Sequence, residues 1–400
     1  MPTPLKMVGL FAGIGGIELG FTSALGAGVE TSLLCEWWDP AKAVLAARFP
    51  GVDLHPDVRE LKSLPTGVDV LAAGFPCTDL SQAGRTAGIT GKQSGLVSHV
   101  FEMLRLSQLA GRRLPWLMIE NVPNMLALDG GKAMAYLVAE LEALGYRWAY
   151  RVVDSRFTGV PQRRRRVILL ASQSEDPRPV LFGEDAGPRD ESALADSAFG
   201  FYWTEGRGGL GWARDAVPTL KGGSTIGIPS PPAIWVPGAE PHLRFVTPGL
   251  EDAEALQGFP RGWTNVLDGM PRARGHRWKL VGNAVTTRVA RWFATALITP
   301  GTTDWAQQRW QPVGSWPTAA WGSSGAVWAV DVSEFPRHEV YEPLRSVVEL
   351  STAAPLSDRA INGFRNRLLQ GNLGRFPGFR EDVHAFADAG RLIELASAAG

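Results

Sequence analysis

The chain has 400 residues, 45% of them hydrophobic and 20% charged, which is enough apolar material for a large core spread over two or three domains. Forty basic residues balance forty acidic ones, so net charge does not mark a nucleic-acid binder and any such contact must come from local clustering. Two cysteines, no zinc-ligand spacing, no leader-like start and no apolar run of membrane-spanning length lead us to expect a reducing, cytoplasmic setting, with no metal and no membrane partner.

From residue 6 to 172, apolar strand-like runs alternate with helical patterns, which predicts an α/β fold with a parallel sheet covered on both faces. The first run, 7–11, leads into FAGIGG at 11–16, a turn in which Gly13, Gly15 and Gly16 let a ligand approach the backbone where a helix opens. Glu18 stands where a dinucleotide fingerprint has its third glycine, so a nicotinamide or flavin site is the poorer reading. The second run, 32–36, ends in Glu36, about 20 residues on, where an acid takes ribose hydroxyls in nucleoside-binding sheets. Trp37 follows, able to stack on adenine or simply to pack.

A third run, 68–73, breaks into GFPCTDLSQAG at 74–84. Cys77 there is a thiol at a strand end, either structural or, if a base or cation activates it, nucleophilic. Runs 116–120, 148–154 and 166–171 complete the predicted sheet. Leu96, Val97, Val100, Phe101 and Leu104 share one helical face, as do Met134, Leu137, Val138, Leu141 and Leu144. IENV at 119–122 and GVPQRRRR at 159–166 flank these elements, and an arginine run taken alone is commonly a solvated face. Most motifs thus fall at the carboxyl ends of strands, where open α/β sheets bind ligands.

Past residue 172 a Gly-, Pro- and Trp-rich texture through about residue 244 predicts a second, irregular domain. VGNAV at 281–285 opens a helical pattern that returns the chain to the first domain over 280–300. Residues 301–400 read as a C-terminal extension with a Trp-rich segment and two helices, 356–370 and 381–398.

Taken in this order, FAGIGG, PC, IENV, QRRRR and VGNAV resemble the DNA (cytosine-5) methyltransferases, from Leu10 to about Ile298. The resemblance implies a Rossmann-like, S-adenosylmethionine-dependent catalytic domain over 1–172, a smaller target-recognition domain over 173–279 and a C-terminal helical extension. It implies that Phe11, Gly13, Gly15, Gly16, Glu36, Trp37, Asp57, Gly74, Pro76 and Asn283 line the S-adenosylmethionine site, with Asp57 at the adenine amino group. By the same resemblance Cys77 adds to C6 of cytosine, Glu120 holds the N3 position, and Arg164 and Arg166, from the QxRxR pattern, assist at the base. The segment 78–95 is expected to close over an extruded base, with Ser81, Gln82 and Arg85 touching DNA; Thr78 and Leu80 stand where Gln and Phe are frequent.

Thr219 and Leu220 resemble a recurrent Thr-Leu pair of the DNA-reading region, and LQGFP at 256–260 resembles its scaffold motif. The implied partner is double-stranded DNA, with the protein acting as a monomer; pairing with a cognate restriction endonuclease, protection of a mobile element's own DNA and regulation of expression are all open at this point. In the extension, Arg365, Arg367, Arg375 and Arg380 are either phosphate contacts or a solvated helical face. Three other readings are an RNA (tRNA) cytosine methyltransferase, a catalytically silent DNA-binding relative and a dinucleotide oxidoreductase; the last leaves PC, ENV and QRRRR without an account.

Overall fold

The computed structural model describes residues 3–75, 95–204, 209–223, 229–311, 313–371 and 373–398. Its strands begin with β1 (Leu5–Leu10), β2 (Val29–Cys35), β3 (Asp53–His55), β4 (Val70–Ala73), β5 (Trp116–Asn121), β6 (Arg147–Asp154), β7 (Gln162–Arg163) and β8 (Arg165–Ser172). They continue as β9 (Phe199–Phe201), β10 (Ala213–Arg214), β11 (Val217–Pro218), β12 (Ala233–Trp235), β13 (Phe245–Thr247), β14 (Ala306–Trp310), β15 (Ala319–Ser323), β16 (Ala326–Asp331) and β17 (Ala354–Pro355). The chain divides into two units.

Met1–Thr158, Arg165–Arg189 and Ala284–Glu339 form the first, around a sheet of order β14-β16-β15-β6-β8-β5-β4-β1-β2-β3. Strands β5, β4, β1, β2 and β3 pair in parallel. Their alternate residues feed separate cores, Val8, Leu10, Leu71, Ala73, Leu117 and Ile119 on one face and Met7, Val70, Ala72 and Met118 on the other. Burial on both faces is why β1, β4 and β5 read as apolar runs, whereas the edge strand β3, Asp53–His55, does not. The first face is covered by helices Leu96–Leu109 and Lys132–Ala143 through the two stripes anticipated above. Helices Gly16–Leu25 and Thr287–Ile298 cover the second, the latter through Val289, Ala290, Trp292 and Phe293.

Parallel pairing stops at β5. β8 pairs antiparallel with both β5 and β6, and β15, β16 and β14 extend the sheet by further antiparallel pairs. The reason is length: only residues 155–164 join β6 to β8, and a parallel crossover needs a dozen residues or more.

Two glycines set distances in this unit. A Cβ at Gly20 would lie 2.6 Å from the Thr287 carbonyl oxygen and 2.8 Å from the Arg291 nitrogen, so the two helices on the second face cross with almost no side chain between them. A Cβ at Gly9 would overlap Glu18 Oε1, because the Glu18 side chain folds back over β1. That carboxyl is 1% exposed, and its Oε2 has no hydrogen-bond partner among the described residues. Burial pushes it up to about 7, against a hydrogen bond from its own backbone that pulls it down.

Gly159–Arg164, Asp190–Asn283 and Val340–Gly400 form the second unit. Its antiparallel sheet runs β10-β9-β12-β13-β17, with β7 and β11 as a separate short pair. The core is aromatic: Phe199, Phe201, Trp235 and Phe245 from the strands meet Phe364 and Phe379 from helices Asp358–Gln370 and Phe379–Ala398. Trp212 stacks on Phe376 at 3.7 Å, and Asp382 takes both Trp235 Nε1 and Arg244 at 2.8 Å. The expected single extension over 301–400 is therefore divided. Residues 306–331 lengthen the first sheet, whereas Ala354 and Pro355 pair with β13 and the final helices close the second core.

Two measurements check this packing. Gly20→Val should lower the urea midpoint by an amount equivalent to at least about 2 kcal/mol, the scale of an overpacked helix contact; an unchanged midpoint would contradict the close crossing. Because the unfolded Glu18 carboxyl titrates near 4.5 and the folded one near 7, the unfolded chain ionises first as pH rises. Stability should therefore be greatest below pH 4.5 as far as this group is concerned and be lost toward pH 7, by on the order of 3 kcal/mol. Glu18→Gln should flatten that slope in denaturation curves taken across this range.

Candidate functional site

The turn after β1 carries the first cluster. Phe11 adopts a left-handed φ of 56° and Gly13 one of 58°, and Gly15 precedes the helix with φ 79°. A Cβ at Gly13 would meet nothing within 4 Å, so the turn leaves open space at its backbone, whereas one at Gly15 would strike the Phe49 ring. Glu36, at the end of β2, holds this turn in place. Its Oε2 accepts the Gly13 N–H at 2.9 Å and its Oε1 accepts the Trp38 N–H at 3.0 Å. Burial raises its carboxyl, and these backbone donors oppose the shift.

Beside it lies a cavity of about 230 Å³ lined by Phe11, Glu36, Trp37, Asp57, Arg59 and Leu96, among others. Trp37 is 71% exposed, an available aromatic face at the rim. Asp57 is gripped by Arg59, whose Nε donates to both carboxylate oxygens at 2.9 Å, and this pairing holds the Asp57 carboxyl at about 2. Cys35, also in the lining, is pushed up to about 12 by burial and then by the charges of Glu36 and Asp57, so it is an inert thiol. An open glycine turn, an anchored acid and an aromatic rim fit an adenosine group.

At the carboxyl ends of β4 and β5 the chain converges again. A Cβ on Gly74 would lie 3.9 Å from the Phe11 carbonyl oxygen and 4.0 Å from Glu120 Oε2. Glu120, 8% exposed, faces Arg166 Nε across 2.9 Å. Burial lowers the Arg166 pKa, and the Glu120 charge opposes that. Asn121, which the sequence reading passed over, donates from Nδ2 to the Phe75 carbonyl at 3.0 Å and accepts the Val122 N–H. It pins the backbone that leads from β4 toward residue 76. The signal was its place directly after Glu120 at a strand end, in the same IENV.

Arg164 and Asn283 belong to the second unit. Along 162–166 burial alternates, with Gln162, Arg164 and Arg166 inward and Arg163 and Arg165 exposed, which is the period of an extended chain. Arg164 is 1% exposed and directs NH1 at the carbonyls of Leu220 (3.3 Å) and Gly282 (3.2 Å). Gln162 accepts the Leu220 N–H and donates to Leu256 O and Gln257 Oε1, while Gln257 donates to Val281 O. QxR, the Thr-Leu pair, LQGFP and VGN are thus tied into one network, in which Arg164 braces buried carbonyls. Leu220, expected to touch DNA, has a side chain only 1% exposed and lies in the interior instead. Thr219 donates its hydroxyl to Arg163 O, and Asn283 packs its Oδ1 2.5 Å from where a Gly222 Cβ would be.

Pro76, Cys77, Ser81, Gln82 and Arg85, and with them residues 78–94, lie outside the described residues. Among the described residues no cluster of three or more His, Cys, Asp or Glu could hold a metal ion, and no helix is long and apolar enough to cross a membrane.

Comparison with known proteins agrees with this layout. The C-5 cytosine-specific DNA methylase profile matches residues 5–193. The chain is 46% identical to the type II methyltransferase M2.BsuMI of Bacillus subtilis (strain 168) over 91% of its length and 93% of that protein's. It is 27% identical to the type II methyltransferase M.MspI of Moraxella sp over 74% of the chain and 71% of that protein. The crystal structure of the S. pombe Dnmt2 methyltransferase shares the fold, with a TM-score of 0.54 and 15% identity over 74% of this chain and 98% of that one. With the glycine turn, the IENV acid and the inward arginine of QRRRR assembled in the first unit, and near half of all positions shared with M2.BsuMI, the chain belongs to the C-5 cytosine-specific DNA methylase family.

Proposed function

We propose that this protein transfers a methyl group from S-adenosylmethionine to C5 of a cytosine within a specific short sequence of duplex DNA, as the modification partner of a cognate restriction endonuclease. The observation that carries the reading is the meeting of the Phe11 carbonyl, Gly74 and the Glu120–Arg166 pair at the strand ends. S-adenosylmethionine supplies an electrophilic methyl carbon, and the cavity beside Glu36 and Asp57 fits its adenosine part.

C5 of cytosine is not nucleophilic in the aromatic ring, so the protein must first break that aromaticity. Cys77 follows Gly74 by three residues, which keeps their Cα atoms within about 11 Å of one another. Its thiolate adds to C6 while a proton taken up by Glu120 from water passes to N3, giving an enamine in which C5 carries the electron density. C5 then takes the methyl group, the departing sulfur keeping the bonding pair as S-adenosylhomocysteine. Loss of the C5 proton to a base, return of the N3 proton to Glu120 and expulsion of the thiolate restore the ring. Arg166, charged and held against Glu120, keeps that carboxyl oriented and adds positive charge beside the base oxygen. Neither C5 nor C6 is reachable in a stacked duplex, so the cytosine swings out of the helix. Type II naming of the relatives supports duplex DNA over RNA as the substrate.

Methylation-sensitive sequencing of DNA from an expressing host should show cytosine methylation at one short sequence, absent with Cys77→Ala. The wild-type protein should also form a denaturation-resistant adduct with duplex containing 5-fluorocytosine, and methylation that persists in the alanine variant would overturn the covalent mechanism. Asn121→Ala should slow single-turnover methylation about ten- to hundredfold, the size of one buried carbonyl losing its donor, while S-adenosylhomocysteine affinity changes less than about threefold.

A further inference from the structure

We propose that Arg272 and Arg274 form a phosphate-binding patch for the backbone of duplex DNA, an inference that rests on the DNA reading above. Residues 271–279, PRARGHRWK, hold three arginines, a lysine and a histidine with no acidic residue among them. Structural duties account for Arg277. It is buried, donates to Thr264 Oγ1 and pairs with Glu254 and Asp268. Nearby, Asp252 is taken by Arg261. Asp252, Glu254 and Asp268 are therefore already committed.

Arg272 and Arg274 are exposed, and among the described residues neither side chain has an ion pair or hydrogen bond. They also flank the amino end of helix Ala273–Asn283, where cations are unfavourable, so nothing in the folded chain gains from their charge at that place. Two uncompensated guanidinium groups two residues apart in the chain can each take a phosphate, which Arg grips with two parallel hydrogen bonds.

The extension offers a contrast. Arg365 pairs with Asp388, Arg367 donates to Trp203 O and Arg380 donates to Leu373 O, so these three arginines, earlier candidates for phosphate, are occupied in holding the second unit together. Phosphate contacts position a protein on DNA without reading sequence. A short duplex of arbitrary sequence therefore suffices as the probe.

The test is full-length protein binding to such a duplex by fluorescence anisotropy across a salt series. Wild type and Arg272→Gln/Arg274→Gln are compared. Each phosphate contact contributes about 0.9 to the slope of log affinity against log salt, so the double variant should be shallower by about 1.8. Equivalently, the wild-type advantage should shrink about twelvefold between about 50 and 200 mM salt. Arg272→Lys/Arg274→Lys should restore the slope. Binding with an unchanged slope in the glutamine variant, at an unchanged urea midpoint, sinks this patch and leaves the methyltransferase reading standing. Wild type with no duplex affinity at all would sink both.

Discussion

The facing of Glu120 and Arg166 is the constraint around which the catalytic unit is arranged. Two opposite charges 2.9 Å apart, both largely withdrawn from water, are stable only while each has the other; removing one partner from such a pair leaves a buried charge costing about 3–5 kcal/mol. Glu120 ends a parallel strand and Arg166 begins an antiparallel one. The pair therefore exists only because β8 turns back between β5 and β6, and the ten-residue link over 155–164 compels that turn. A break in the parallel pattern and the placement of a site arginine are one event.

Around this pair the backbone is brought close by subtraction of side chains. Gly9 makes room for Glu18, Gly20 lets two helices touch, and Gly74 leaves space before Phe11 O and Glu120. Glu36 then fixes the turn that these small residues permit, using one carboxylate oxygen for Gly13 and the other for Trp38. Asn121 does the same for the chain beyond β4. Rigid side-chain anchors on a permissive backbone make a preorganised site, because a ligand meeting it need not supply the ordering itself.

The second unit follows a different logic. Its core is a cluster of rings contributed by segments far apart in the chain, Phe199 to Phe245 from the strands and Phe364 to Phe379 from the final helices. Arg164 and Gln162 stitch its loops together by donating to carbonyls. Irregular backbone with little secondary structure has many unpaired carbonyls, and buried guanidinium and amide groups are efficient at satisfying them.

Local pattern determined much of this protein. Four of the five parallel strands, the two helical stripes over them and the glycine turn follow from spacings within a few residues, because alternation and helical period report burial directly. The short β3 has no apolar run to mark it, and Glu120 and Arg166 enter as site candidates through the resemblance of IENV and QRRRR to family motifs. The family follows from the order of its motifs. Tertiary structure alone decided the rest. β14–β16 join the large sheet as antiparallel additions, and residues 340–400 complete a core begun at Phe199, pairings across more than a hundred residues that no local period encodes. The same holds for the burial of Arg164 and Leu220, since which face of a short extended segment is buried depends on what packs against it.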